Sequence, residues 1–151
     1  MAEETKDPPI FTLFNEIGII EQLSRQRLER VLPEGLKISH FSVLNHFARL
    51  GGERAPTDLA RAFQVTKAAM TNTLGRLETR GLVAIRPDPN DGRAKRVALT
   101  ARGRKLRDRA IAALGPELAE ITAHIPAQDF AAALPFLQRL RAYLDEARNP
   151  V

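Results

Sequence analysis

Residues 57–100 read TDLARAFQVTKAAMTNTLGRLETRGLVAIRPDPNDGRAKRVALT. Two short helices, a tight turn between them and a basic two-stranded ribbon account for this stretch. The second helix is expected to begin at Thr66, whose hydroxyl can cap free backbone N–H groups. It is expected to end at Gly81, a residue suited to the left-handed position after a helix. Met70, Leu74 and Leu77 recur at spacings of four and three and form one buried stripe. Lys67, Ala68, Thr71, Asn72, Gly75 and Arg76 lie largely off that stripe. A helix entering the major groove needs that mixture: small residues allow close approach, amides and hydroxyls read base edges, and cations hold phosphates. Taken alone, an ordinary amphipathic surface helix explains the same residues equally well.

The segment that follows favours the DNA-reading alternative. Leu82–Pro87 and Ala94–Thr100 are short and rich in Val, Ile and Leu, and they flank Asp88-Pro89-Asn90-Asp91-Gly92-Arg93. Asp91-Gly92 is a strong hairpin-turn signal. Arg86, Arg93, Lys95 and Arg96 cluster on this hairpin. A ribbon with cations at its tip can lie along a phosphate backbone or enter a minor groove. The expected unit is a winged helix-turn-helix, mostly α with a small β-wing.

Leu59-Ala60, Thr66, Leu77, Arg80-Gly81-Leu82-Val83, Asp88-x-x-Asp91-Gly92-Arg93 and Leu99-Thr100-x-x-Gly103 together resemble the multiple-antibiotic-resistance regulator (MarR) family. The Asp-x-x-Asp-Gly-Arg wing followed by Leu-Thr-x-x-Gly is the most specific part. The order of elements before and after it also fits, so the resemblance covers nearly the whole chain. It implies a homodimeric bacterial transcription regulator, usually a repressor released by a small molecule. Carried onto matching positions, the family's major-groove contacts fall on Thr66, Lys67, Ala68, Ala69, Thr71, Asn72 and Arg76. Asn72 is the best candidate for reading adenine, through its paired donor and acceptor. Lys67 and Arg76 suit phosphate. Arg93 at the wing tip is the expected minor-groove cation, Lys95 lies beside it, and Asp91 supports the turn. Gly75 departs from many relatives, which have a larger residue there.

Charge is distributed unevenly along the 151 residues, whose formal net charge is +5. Residues 57–100 carry eight Lys/Arg against four Asp/Glu, whereas residues 1–56 carry seven against eight. That local excess favours a polyanionic partner. There is no cysteine, so disulfides, thiolate metal sites and cysteine redox sensing are excluded. No apolar run approaches the ~18 residues of a membrane span, and the start, MAEETKDPP, is too acidic for a signal peptide. A bacterial cytoplasmic location is the expectation.

Three parts are expected: an N-terminal dimerisation helix within residues 1–36, the winged unit over 37–100, and C-terminal dimerisation helices over 101–151. Met1–Pro9 and Arg148–Val151 read as frayed tails. The first helix is expected over Ile10–Leu32, with Phe11, Phe14, Ile17, Ile20 and Leu23 on a broad apolar face. Ser39 is expected to cap a helix from His40 to Leu50, with Phe41, Leu44, Phe47, Ala48 and Leu50 inward. Thr57 is expected to cap Asp58–Phe63, and Arg54–Pro56 matches a short third wing strand in the family. Thr100 is expected to cap Ala101–His124, kinked or broken at Gly115-Pro116. A last helix over Phe130–Ala147 carries Leu134, Leu137, Leu140 and Leu144 on one stripe, with Pro135 in its first turns. Apolar faces on the first and last helices exceed what the central unit can cover. A two-fold partner covers them, and two reading helices roughly 34 Å apart then suit a near-palindromic site.

An enzyme is the reading from another class. His40, His46 and His124 are its raw material, and no nucleophile elbow, phosphate loop or metal-ligand pair accompanies them. A metal-responsive regulator using these histidines and an architectural DNA-binding protein without a specific operator are the further alternatives. The resemblance implies a small aromatic or anionic effector, with no ligand residues singled out, and implies no cofactor.

Overall fold

The structure, a computed structural model, describes residues 7–148. The described elements are α1 (Pro9–Glu29), a 3-10 turn (Pro33–Gly35), α2 (Ile38–Leu50), β1 (Glu53–Arg54), α3 (Pro56–Ala62) and α4 (Lys67–Thr79). They continue as β2 (Val83–Asp88), β3 (Asp91–Leu99), α5 (Ala101–His124) and α6 (Ala127–Arg148). The chain forms two compact units, Met1–Leu114 and Gly115–Val151. Both expected tails lie largely outside the described residues, although Pro9 and Arg148 are helical.

The first unit is built around Leu44 and Phe47 of α2, Leu59 of α3, Leu74 and Leu77 of α4, and Val97 of β3, all buried. Leu106, Ala110 and Leu114 bring one face of α5 into the same core. An antiparallel sheet of order β1-β3-β2 closes one side. Val97 pairs with Arg54 on one flank and with Ile85 on the other, so one buried valine joins both strand pairs.

Several boundaries differ from expectation. α1 ends at Glu29, releasing Val31 and Leu32 to pack at the core, where Leu32 is buried. α2 starts at Ile38, so Ser39 lies inside its first turn. The cap comes from a distance instead: a Glu29 carboxylate oxygen accepts the Ile38 N–H at 3.0 Å. His40 and Val43 face inward in addition to Leu44 and Phe47, whereas Leu50 is exposed. α3 begins at Pro56 with Ala55 as its cap residue, because proline is pre-set for a first helical position whose N–H needs no partner. Thr57 is therefore inside that helix, and the third strand is Glu53–Arg54.

α5 runs without a break through Gly115-Pro116. Ala112 and Pro116 both occupy exposed positions, where water can replace the hydrogen bond that proline removes. α6 begins three residues earlier than expected, which leaves Pro135 in the helix interior rather than its first turns. No residue of α1 or of α6 is buried. Phe11 and Leu23 of α1 are 59% and 60% exposed, and Leu134 and Leu144 of α6 are 51% and 47% exposed.

Candidate nucleic-acid interface

The turn between α3 and α4 is held by the Val65 N–H donating to Ala60 O at 3.0 Å, with Gln64 at φ 56°. Thr66 then caps α4, its hydroxyl accepting the Ala69 N–H at 3.1 Å. Met70, Leu74 and Leu77 are buried as the spacing demanded. Thr66, Lys67, Ala68, Ala69, Thr71, Asn72 and Arg76 are all exposed. After the helix, Gly81 adopts φ +72°, and the Leu82 N–H donates back to Leu77 O at 2.9 Å. That reversal delivers the chain into β2.

Leu82 and α5 meet at very short range. The Thr100 hydroxyl donates to Gly81 O at 2.6 Å and accepts the Gly103 N–H at 3.0 Å. A Cβ at Gly103 would stand 2.1 Å from Leu82 O. This explains the Leu-Thr-x-x-Gly pattern physically: threonine caps α5 and ties it to the end of the reading helix, and only glycine admits the strand so closely.

The hairpin turn is Pro89-Asn90, not Asp91-Gly92. Asp88 pairs with Asp91 and β3 already starts at Asp91. Positive φ occurs at Gly35, Gly51, Gly52 and Gly81 but not at Gly92. Two aspartates shape this tip. Asp88 accepts the Asn90 N–H at 2.8 Å, and Asp91 accepts the Arg93 N–H at 3.0 Å. Such local side-chain bonds replace the glycine-dependent turn that the dipeptide suggested.

The four wing cations are not equivalent. Arg86 reaches across β3 to Glu53 through two hydrogen bonds of 2.8 and 2.7 Å. Arg96 donates to Asp88 at 2.9 Å. The hydrogen bond from Arg86 holds the Glu53 carboxyl below its ordinary range. The Asn90 backbone N–H, followed by Arg96, does the same for Asp88. Arg93 and Lys95 are exposed, and neither side chain has an ion partner among the described residues. These two carry the uncompensated charge of the wing.

The basic start of α5 is compensated only in part. Arg109 pairs with Glu34 at 2.9 Å and Arg102 approaches the same carboxylate at 3.8 Å. Arg107 donates to Asn45 Oδ1 and to Asp108.

Two clefts flank α4, and Thr71 and Gly75 line both. One, of about 500 Å³, lies between α4 and the wing and includes Lys67, Arg93 and Lys95. The other, of about 750 Å³, lies between α4 and the start of α2 and includes Lys37, His40, Arg76 and Arg80. A Cβ at Gly75 would meet nothing within 4 Å, so no internal contact requires glycine there.

The histidines stand apart. His40 is buried, His46 lies edge-on to Phe63 at 5.3 Å, and His124 Nδ1 is 2.9 Å from Glu120 O. Burial, followed by nearby arginines, lowers the pKa of both His40 and His46. Among the described residues no group of three His, Cys, Asp or Glu could hold a metal ion. No described helix is long and apolar enough to cross a membrane. Inward-facing His40 was overlooked in the sequence, although its spacing from Leu44 and Phe47 repeats the four-and-three pattern of a buried stripe.

Residues 34–94, which contain the whole helix-turn-helix and most of the wing, match the model of the MarR family. The chain carries a MarR-family winged helix-turn-helix. The family is one of transcription regulators. Among solved structures, a mutant of MarR from E. coli complexed with operator DNA is 28% identical, with a TM-score of 0.77 over 87% of this chain and 94% of that one. A probable transcriptional regulator from Pseudomonas aeruginosa is 26% identical, with a TM-score of 0.70 over 85% of this chain and 98% of that one. A MepR-like protein complexed with pseudoligands is 25% identical, with a TM-score of 0.67 over 97% and 96%. The structural similarity extends over nearly the full length of these relatives.

Proposed function

We propose that this protein is a homodimeric repressor that binds a near-palindromic DNA operator in the bacterial cytoplasm and leaves it when a small molecule binds. The observation that carries this reading is the exposed polar face of α4 beside a wing whose Arg93 and Lys95 lack ion partners among the described residues. Thr66, Lys67, Ala68, Ala69, Thr71, Asn72 and Arg76 form the major-groove face, with Asn72 reading a base and Lys67 and Arg76 binding phosphates. The E. coli relative complexed with operator DNA supports the assignment. The role is that of a regulator and not an enzyme.

Residues 37–100 read DNA, and the helices within 1–36 and 101–151 pair two copies. Support for pairing comes from the apolar side chains that α1 and α6 leave exposed. Such faces are unusual on a monomer and normal at a two-fold interface. The effector is a small aromatic or anionic compound; the MepR-like relative complexed with pseudoligands supports a small-molecule site, not its chemistry. It releases DNA only by binding the non-DNA geometry more tightly.

Selection of bound fragments from random-sequence DNA tests this function. The expected product is an inverted repeat with half-sites about one helical turn apart. Recovery of fragments with no shared motif would favour an architectural role and reject the regulator.

A further inference from the structure

The cleft between α4 and the start of α2 is chemically one-sided. Lys37, Arg76 and Arg80 line it with His40, Thr71 and Asn72, and among the described residues no carboxylate lines it. Arg80 is fixed there by donating to Glu34 O at 2.9 Å. Lys37 and His40 bring the start of α2 to the cleft, where the Ile38 N–H is already taken by a Glu29 carboxylate oxygen at 3.0 Å.

His40 supplies a second, independent observation. Its residue is 8% exposed, and its ring makes no hydrogen bond among the described residues. No fully buried side-chain nitrogen or oxygen among these residues lacks a partner, so the ring nitrogens of His40 open to the cleft. The ring therefore makes no hydrogen bond to the described residues and meets the cationic cleft through solvent-accessible nitrogens.

We propose that this cleft is a seat for a phosphate oxyanion, with His40 taking up one proton from solvent as the anion binds. Lys37, Arg76 and Arg80 supply the charge, and the protonated imidazole donates the hydrogen bond that the neutral ring leaves unmade. The oxyanion can be a backbone phosphate of a bound duplex or a free phosphate. The duplex version rests on the regulator reading and extends its footprint from α4 to α2; the free-anion version does not depend on it.

The electrostatics support this arrangement. His40 is held below its ordinary pKa by burial first, then by Arg76 and Arg80 of the reading-helix segment and Lys37 before α2; Glu29 of α1 opposes them. An anion among these groups reverses the repulsion and raises the pKa. Binding then takes up a proton at any pH between the free and bound values. Affinity therefore falls as pH rises through that interval. A pKa rise of one unit corresponds to a tenfold tighter complex below both values than above both, by about 1.4 kcal/mol.

The test follows the His40 ring by NMR between about pH 5.5 and 7.5, where histidine titrates. It is run in chloride, in inorganic phosphate at equal ionic strength, and with a random-sequence duplex. A rise of about one unit is expected with at least one phosphate source. A rise with the duplex alone identifies the backbone as occupant, and a rise with inorganic phosphate alone identifies a free anion. An unchanged His40 pKa in both overturns the seat. Lys37→Gln, at an exposed position, is expected to raise the free pKa and shrink the phosphate-induced shift even if His40→Gln does not fold. If wild-type and folded His40→Gln bind duplex with the same pH dependence, the duplex version fails while the regulator reading stands. If wild type binds no duplex at all, the regulator reading fails, and the inorganic phosphate titration still decides the seat.

Discussion

Gly103 lies directly against Leu82: a Cβ on the glycine would stand 2.1 Å from the leucine carbonyl oxygen and 2.7 Å from a methyl of Leu99. The leucine methyl could move, but the carbonyl belongs to the junction between α4 and β2. Gly103→Ala is therefore expected to destabilise the protein by about 3 kcal/mol, the upper end of the usual cost of overpacking. Urea unfolding at a fixed protein concentration measures it. A change within about 0.5 kcal/mol would mean that the junction yields freely.

The wing cations divide into compensated and uncompensated pairs. Arg93→Ala is expected to weaken duplex binding at least tenfold, about 1.4 kcal/mol, and to reduce the salt slope by about 1. Arg86 already has Glu53 as its partner, so Arg86→Ala is expected to change affinity much less. Fluorescence anisotropy at several salt concentrations compares them. Equal losses would argue that duplex binding breaks the Glu53–Arg86 pair.

Thr66 has a capping role separable from any contact with DNA. Thr66→Ala is expected to lower stability by about 1 kcal/mol by leaving the Ala69 N–H without its acceptor. Thr66→Ser should restore most of it, because the hydroxyl is retained. Thermal unfolding of both variants provides the comparison.

Acid is expected to act on this fold in two steps. His40 and His46 both have lowered pKa values in the folded chain. Between the folded and the unfolded values the unfolded chain binds more protons, so stability present above the ordinary histidine pKa is lost as pH falls below it. Glu53 and Asp88 are also lowered. Their contribution is present above the ordinary carboxylate range and is lost as pH falls through their folded values. The first loss should involve the whole unit, whereas the second should begin at the wing. Stability measured against pH, with amide exchange resolving the hairpin, distinguishes them. An unchanged stability from neutral pH to below the ordinary histidine pKa would refute the first step.

A charge on an exposed apolar face should separate the proposed dimer. Leu23→Glu in α1 or Leu137→Asp in α6 is expected to shift the mass in light scattering from two chains to one and to weaken operator binding. Both positions are already exposed in the isolated chain, 60% and 37% respectively, so the fold of each unit should survive. Retention of the wild-type mass in both variants would locate pairing elsewhere.

The parts of this fold that were legible in the sequence are those fixed by neighbours in the chain. Thr66 and Thr100 each cap a helix through a hydrogen bond that reaches three residues ahead, and Met70, Leu74 and Leu77 repeat at helical spacing. The start of α2 was not legible because its cap is Glu29, nine residues back, and no local motif records that bond. The wing turn was misplaced by a residue pair because Asp88 and Asp91 shape the tip through side-chain hydrogen bonds, which outweighed the Asp-Gly signal. All nine candidate contacts emerged on exposed positions, but the sequence could not sort the wing cations. Arg86 is neutralised by a residue thirty-three positions away, which only the sheet order brings near.

That same cross-strand link governs how the hairpin behaves mechanically. Glu53 and Arg86 tie β1 to β2 across β3 near the root of the ribbon, while Arg93 at its tip has no ion partner among the described residues. Adding or removing a residue in the 88–91 bend would shift where the terminal cation lands along a duplex while leaving the adjacent helix untouched. Half-site geometry can thus be retuned by changing the length of one short bend.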